Sequence, residues 1–350
     1  MTDATFRPKP PTISLLLWPL GVAFLGLARV RAGFYKCCHR PIRLGRPAIA
    51  VGNLTFGGTG KTPLTVAIAR LLQEEGQRPA VLLRGYGRTT HGARRVHAAD
   101  LPGQVGEEAV LLARSLPGVP IAVGERREEA AALVLDECSV FLLDDAFQHL
   151  RVHRDVDLLL VDASRPFDLH APPAGRLREP LSAARRASAF VVTRGSTQDL
   201  PPFLVPTAEG RPVVAARFGW DPIPQGGSDF FSWDQLAGAP LVAFAGIGNP
   251  WAFFAQAQAL GLSLSHAIAF PDHAPPTEGR LRRILGAAKE AGAMAVLTTE
   301  KDAVKWAPAW PGHPPLIYPK LTVSLEGDVA ALRGLLLAAC TGPAEQASTS

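Results

Sequence analysis

Between residues 47 and about 195, short apolar runs alternate with segments whose apolar positions recur every three or four residues. The runs "PAIAVG", "RPAVLL", "VPIAV", "SVFLLDD", "DVDLLLVDAS" and "ASAFVVT" have strand length and carry few charges. A helix to about Glu75, "GEEAVLLARSL" and "EEAAALVLDE" have helical periodicity. Uninterrupted apolar strands alternating with helices predict a mostly parallel sheet with helices on both faces. A looser stretch follows at 205–235, where Gly, Pro and Ser concentrate. A second αβ series begins at "PLVAFAGIGNP", continues through "SHAIAFPDH", "AMAVLTTEKD" and "PPLIYPKLTVSL", and closes on a helix from about Asp328. The expected layout is an N-terminal segment 1–46, an α/β domain 47–210, a smaller α/β domain 211–340 and a disordered tail 341–350.

The first strand leads into "VGNLTFGGTGKTP". A glycine turn between a buried strand and a helix start presents backbone N–H groups to an anion. In this pattern the lysine reaches the β- and γ-phosphates of a nucleotide, and the next hydroxyl binds Mg²⁺. Thr55, Phe56, Gly57, Gly58, Thr59, Gly60, Lys61 and Thr62 are therefore the expected ATP cradle. One position departs from the general pattern: Thr55 stands where a glycine is usual, and Gly57 and Gly58 are expected to supply the missing freedom. A phosphate loop also needs a carboxylate at the end of a hydrophobic strand to hold the metal. "SVFLLDD" supplies Asp144 and Asp145. Successive strand residues face opposite sides, so Asp144 is assigned to the metal and Asp145 to another task, such as orienting the loop.

Charge changes the picture at the N-terminus. Residues 1–46 hold eight Lys/Arg against one acid, a charge of +7; the whole chain carries +5, which leaves −2 for the rest. The pI of 9.2 is therefore no argument for a nucleic-acid-binding body. "ISLLLWPLGVAFLGLA", Ile13 to Ala28, has no charge over 16 residues. As a helix it would be about 24 Å long, short of a bilayer core of roughly 30 Å. A cleaved leader, a buried helix and a membrane helix compete here. Arg29 and Arg31 occupy the place of a cleavage site, and the basic flank suits anionic headgroups. A membrane helix, dipping in or marginally spanning, is the reading taken. It puts the remainder on the cytoplasmic face of the inner membrane, with anionic lipids as neighbours. Four cysteines without a CxxC pair suggest neither a zinc ribbon nor a disulfide framework. No obligate protein partner is indicated.

The chain as a whole resembles the tetraacyldisaccharide 4′-kinases of Gram-negative lipid A assembly. The likeness runs through the apolar N-terminus, "GNLTFGGTGKTP", "LLRGYGR", "VGEEAVLLA", "LLDDAFQHL", "PAGRLREPL", "VVTRG", "AGIGNPWAFF", "FPDH" and "LTTEKDAVK". It implies ATP- and Mg²⁺-dependent phosphorylation of the 4′-hydroxyl of a lipid A disaccharide 1-phosphate. The family's base is an aspartate in "GDE", assisted by a histidine in "DH". This chain reads "GEE", so Glu107 stands at the base position with one extra methylene. The resemblance makes Glu107, His273, Asp272 and Lys61 the catalytic candidates, and Thr62, Asp144 and Glu108 the metal set. Arg84, Tyr86 and Arg88, on the loop after a strand, are candidate substrate contacts, joined by Asp145, Gln148 and His149. "TTEKD" (Thr299, Glu300, Lys301, Asp302) either contacts the nucleotide or the hinge or only caps a helix, and "GIGNP", around Asn249, has the same ambiguity. A membrane-recruited P-loop ATPase switch, or a kinase for another small alcohol, stays open on the residues alone.

Overall fold

In the computed structural model, the structure describes residues 13–164, 170–221, 226 and 232–341. The expected disordered tail falls at 342–350 outside these residues, as do Arg7 and Lys9 of the basic segment. The strands are β1 (Ala48–Asn53), β2 (Pro79–Leu83), β3 (Arg94–Arg95), β4 (Ile121–Val123), β5 (Val140–Asp144), β6 (Val156–Asp162), β7 (Ala189–Thr193), β8 (Val213–Trp220), β9 (Pro240–Ala245), β10 (Ser263–Ala269), β11 (Ala295–Leu297), β12 (Leu316–Ile317) and β13 (Leu321–Gly327). The helices are α1 (Ile13–Cys38), α2 (Lys61–Glu74), α3 (Pro102–Val105), α4 (Glu107–Ser115), α5 (Arg127–Ala132), α6 (Val205–Ala208), α7 (Trp233–Leu236), α8 (Pro250–Ala259), α9 (Glu278–Glu290), α10 (Glu300–Trp306) and α11 (Val329–Thr341).

Two sheets form. The larger runs β13-β8-β7-β6-β1-β5-β2-β4-β3, parallel except for its two edges, where β13 and β3 are antiparallel to their neighbours. The smaller runs β10-β9-β11-β12 and is parallel throughout. The period of two sorts the large sheet's side chains. Ile49, Val51, Val140 and Leu142 join the core under α2 and α4. Ala48, Ala50, Phe141 and Leu143 face the opposite core. Asp144 continues the first set, which aims it at α2.

The sheets divide the chain elsewhere than at residue 211. β8, absent from the sequence reading, and β13 both lie in the large sheet. "PPLIYPKLTVSL" splits between β12 of the small sheet and β13 of the large one. α11 also returns, burying Leu332 and Leu336 in the core beneath α2. The small unit is thus an insertion between β8 and β13. α10 belongs to both bodies: Val304 packs in the large core and Trp306 in the small one.

α1 extends over 26 residues, well past the apolar 16, with Pro19 inside it. Among the described residues no helix is long and apolar enough to cross a membrane, so the spanning version of the expectation is not met. The physical reason is in the sequence: charge returns at Arg29 and Arg31, before the apolar run reaches spanning length. Gly21 rests against Ala171, where an added Cβ would come 2.9 Å from the Ala171 carbonyl oxygen. Leu25 packs on the core beside it. Leu20, Val22, Leu27, Val30 and Phe34 are exposed.

Candidate active site

The carboxyl ends of the strands in both sheets carry the loops that meet here, the usual place for ligands in open α/β sheets. β1 delivers the loop from Leu54 to Gly60, and α2 starts at Lys61. Gly60 sits at φ +88°, and a Cβ there would fall 2.4 Å from the Phe218 ring of β8, so conformation and space both require glycine. Gly57, at φ +114°, supplies the expected freedom; Gly58 is not in the left-handed region. Thr55 needs none, because it is bridged in strand fashion to Leu177. The Phe56 N–H donates to the Arg176 carbonyl (2.7 Å), and the Arg178 N–H to that of Leu54 (2.8 Å). "GRLRE" is thus a ledge under the loop. From the other side, Asn53 Nδ2 donates to Thr59 Oγ1 at 2.9 Å. Thr55 to Thr59 line a cleft with Asp162, Arg176, Arg194, Gly248 and Asn249.

Asp144 and Asp145 meet different partners. Asp144 is buried, accepts from Thr65 Oγ1 at 2.8 Å, and is pushed up to about 7 by burial and by the charges of Glu108 and Asp145. Asp145 takes a positive φ of +47° and turns to Lys61 Nζ (3.6 Å) and Arg178 Nη1 (2.8 Å). Burial works to raise its pKa, but those two cations outweigh it, and the carboxyl titrates below its ordinary value. This places Asp145 against the loop lysine. Arg178 also stacks over the Phe56 ring at 4.9 Å. Gln148 Nε2 donates to the Asn53 carbonyl at 2.8 Å, tying it to the loop. His149 is pushed down to about 4 by burial and by Arg127 and Arg154. Arg127, itself buried and lowered to about 10, feels Asp144, Arg84, Asp145 and Arg88.

Across the cleft lies the second cluster. Gly106, at φ +97°, brings the start of α4 against the Tyr86 carbonyl. Glu107 and Glu108 follow in the first turn, where the helix dipole favours acids. His273, at φ +59°, lies in the loop after β10. Its Nδ1 is 3.1 Å from Glu107 Oε2, a contact between residues 166 positions apart. Lys301 Nζ stands 3.2 Å from His273 Nε2 and 3.4 Å from Asp272 Oδ1. Lys305 Nζ lies 3.5 Å from the same Glu107 oxygen. In the neutral ring this arrangement has Nδ1–H donating to Glu107 while Nε2 accepts from Lys301. Burial works to raise the Glu107 pKa, but His273, Lys305 and Lys301 prevail and it stays below the ordinary range. The Tyr86 ring is 6.1 Å from that of His273. Arg88 is turned away into an ion pair with Glu125 (2.6 Å) and a bond to the Gly92 carbonyl (2.7 Å).

The ambiguous motifs resolve in both ways. Asn249 caps α8 and also lines the cleft; Thr299 caps α10, whose next residue but one is Lys301. The Gly248 backbone closes on the loop, where a Cβ would lie 3.4 Å from Gly58 N. Sequence reasoning gave no role to Arg178, Arg194 or Lys305, and reached Lys301 and Asp302 only as members of "TTEKD". The lysines had a signal: positions i and i+4 on one helix share a face. Arg194, at φ +57°, donates to the Gly58 carbonyl at 3.0 Å and pairs with Asp162. Asp145, Arg194 and His273 are the non-glycine residues with positive φ among those described: Arg194 lines the cleft, Asp145 meets the loop lysine and His273 meets Glu107.

A phosphate loop with a carboxylate–histidine pair opposite it is the arrangement of a phosphotransferase with an activated acceptor. The comparisons with known proteins agree. The family model LpxK, tetraacyldisaccharide-1-P 4′-kinase, matches residues 13–341. The chain belongs to that family. A tetraacyldisaccharide 4′-kinase of Pelobacter propionicus is 40% identical over 316 residues, covering 87% of each chain. That of Geobacter metallireducens is 40% identical over 304 residues, covering 84% of this chain and 88% of the relative. Among solved structures, the "apo" form of LpxK from Aquifex aeolicus in complex with ATP superposes with a TM-score of 0.74 at 30% identity. It covers 93% of this chain and 99% of that one. Family membership turns the remaining question from what the site is to how these residues divide its work.

The metal set can be tested on the structure. Among the described residues no group of three or more His, Cys, Asp or Glu stands in metal-binding geometry. Asp144 nevertheless lies in a crowd of negative charge with Glu108 and Asp145, facing the cation of Lys61. A divalent cation arriving with a nucleotide would relieve that crowding, so Asp144, Glu108 and the Thr62 hydroxyl fit Mg²⁺.

Proposed function

We propose that this protein transfers the γ-phosphate of ATP to the 4′-hydroxyl of a lipid A disaccharide 1-phosphate. The observation that carries the reading is the Glu107–His273 pair, held 3.1 Å apart and facing a phosphate loop in a chain of this family. The loop amides from Gly57 to Lys61 and the Lys61 ammonium hold the phosphates. Asp145 and Arg178 keep that ammonium in place until the nucleotide takes it over. Asp144, Glu108 and Thr62 would hold Mg²⁺, which would supply charge neutralisation when bound. Glu107 accepts the proton of the acceptor hydroxyl. His273 fixes the carboxylate's direction and shares the proton's charge. Phosphoryl transfer depends mostly on positioning and charge neutralisation, with the base contributing about 10²–10⁴-fold. Arg84 and Tyr86 remain open to the acceptor headgroup; Arg88 supports their loop.

α1 brings this site to its substrate. Its exposed Leu20, Val22, Leu27, Val30 and Phe34 enter the interfacial zone of the bilayer, and Arg29, Arg31, Arg40 and Arg43 meet anionic headgroups on the cytoplasmic face. An anchored enzyme suits an acceptor that stays in the membrane. The test is to incubate detergent-solubilised protein with γ-labelled ATP, Mg²⁺ and the disaccharide 1-phosphate. Labelled lipid that disappears in Lys61→Ala supports the reading. Phosphate release without any lipid acceptor and without labelled lipid overturns it in favour of an ATPase switch.

A further inference from the structure

A buried lysine beside the proposed base is not explained by binding ATP or acceptor. The Lys305 side chain is 5% exposed and lies between two carboxylates, Asp302 Oδ1 at 3.1 Å and Glu107 Oε2 at 3.5 Å. Neither contact is a well-aligned hydrogen bond, so this is a buried cation held by charge alone. Burying an ammonium is costly, and a methionine would fill the same shape. Asp302 is itself fully committed on its other oxygen, which accepts from the Gly246 N–H (2.8 Å) and from Thr299 Oγ1 (2.7 Å). The Gly246 carbonyl in turn accepts from the His273 N–H at 3.1 Å. The contacts close a ring: Glu107, Lys305, Asp302, Gly246, His273 and back to Glu107. Glu107 comes from the large unit, Gly246 and His273 from the small one, and Lys305 and Asp302 from α10, which packs in both. The ring is seated where α10 is anchored in both bodies, with Val304 in one core and Trp306 in the other.

We infer that Lys305 is a positioning residue for this reaction: it draws the longer Glu107 side chain back toward α10 and fixes the oxygen that His273 also holds. This rests on Glu107 being the base. The Lys305 ammonium is enclosed between Glu107 and Asp302. It acts through Glu107, and that is what separates it from a lysine that only stabilises the interface.

The experiment is a kinetic cycle on the full chain with Glu107→Gln, Lys305→Met, Lys305→Arg and the Glu107→Gln/Lys305→Met pair, assayed by label transfer to the lipid. The expected result is a fall in kcat of about 10²-fold for Lys305→Met, the size of effect that misplacing a reacting group produces. KM for ATP should stay within about twofold, and Lys305→Arg should recover most of the loss. In the Glu107→Gln background, Lys305→Met should change kcat by less than about twofold, because the group it positions is gone. If Glu107→Gln keeps wild-type kcat, the base assignment fails and takes this inference with it. If Glu107→Gln is impaired but Lys305→Met is silent, or costs the same factor in both backgrounds, the role of Lys305 alone is overturned. Should Lys305→Met lose its circular dichroism by leaving Asp302 unpaired, Lys305→Met/Asp302→Asn replaces it in the cycle. That pair removes both charges, keeps an acceptor for Gly246 and Thr299, and should show the same loss of kcat.

Discussion

The two sides of the cleft are built by different means. The phosphate side is mostly backbone: a glycine at φ +88° against Phe218, strand-like pairing of the loop with residues 176–178, and the start of α2. The base side is mostly side chains, drawn from α4, the loop after β10 and α10. A backbone site needs particular residues at adjacent positions. A side-chain site needs a topology that brings distant residues together. The first therefore tolerates few substitutions and writes a local signature. The second is written in scattered positions, where Glu107 meets partners from two other elements.

The comparison can be broken first at the loop. Lys61→Ala should lower turnover by roughly 10³-fold, the scale for removing a charge-stabilising donor at the reacting centre. Activity near wild type in label transfer would show that the loop is not the phosphate cradle. Next comes Glu107→Gln, with a loss of about 10²–10⁴-fold in kcat and little change in the KM for ATP. Glu107→Asp restores the family's usual residue but leaves a gap toward His273 and Lys305; steady-state kinetics should find it within about tenfold of wild type, far above Glu107→Gln. A smaller effect tests the other carboxylate. Asp144 is held up to about 7 in the folded protein by burial and like charges. A raised carboxyl binds its proton more tightly when folded, so its ionisation costs stability as pH rises from about 4 to 7, and the cost persists above. Ligand-free Asp144→Asn should accordingly melt ~2–4 °C above wild type at pH 8, with the difference closing as pH falls toward about 4, by calorimetry, while losing activity. An unchanged difference across that range would mean that Asp144 is not ionised against its neighbours.

The same contrast explains what the sequence made legible. The strand–loop–helix from Ala48 to Glu74 is local, and its apolar run, glycines and lysine stand together. The large sheet's inner strands were readable because each is a continuous apolar run with its own helix. β8 was hidden: "VVAARFGW" follows a proline-rich stretch and carries a charge, and its fit depends on β13, paired to it from about a hundred residues later. Glu107 and His273 were reached only through family resemblance, since an acid in a helix's first turn and a histidine in a proline-rich loop are ordinary features. The lysines of α10 stood in a quoted motif without a role. Nothing local says that α10 sits against α4; that follows from the insertion of the small unit between β8 and β13.

The central claim is that Glu107 and His273 act as one unit. The most direct test is a double-mutant cycle of Glu107→Gln and His273→Ala, read as kcat for label transfer at saturating ATP. Residues that share one task lose most of it with either change, so the double variant should be no slower than the worse single within about threefold. If the two losses multiply in full, the pair are independent groups, and the contact across the cleft is a structural one.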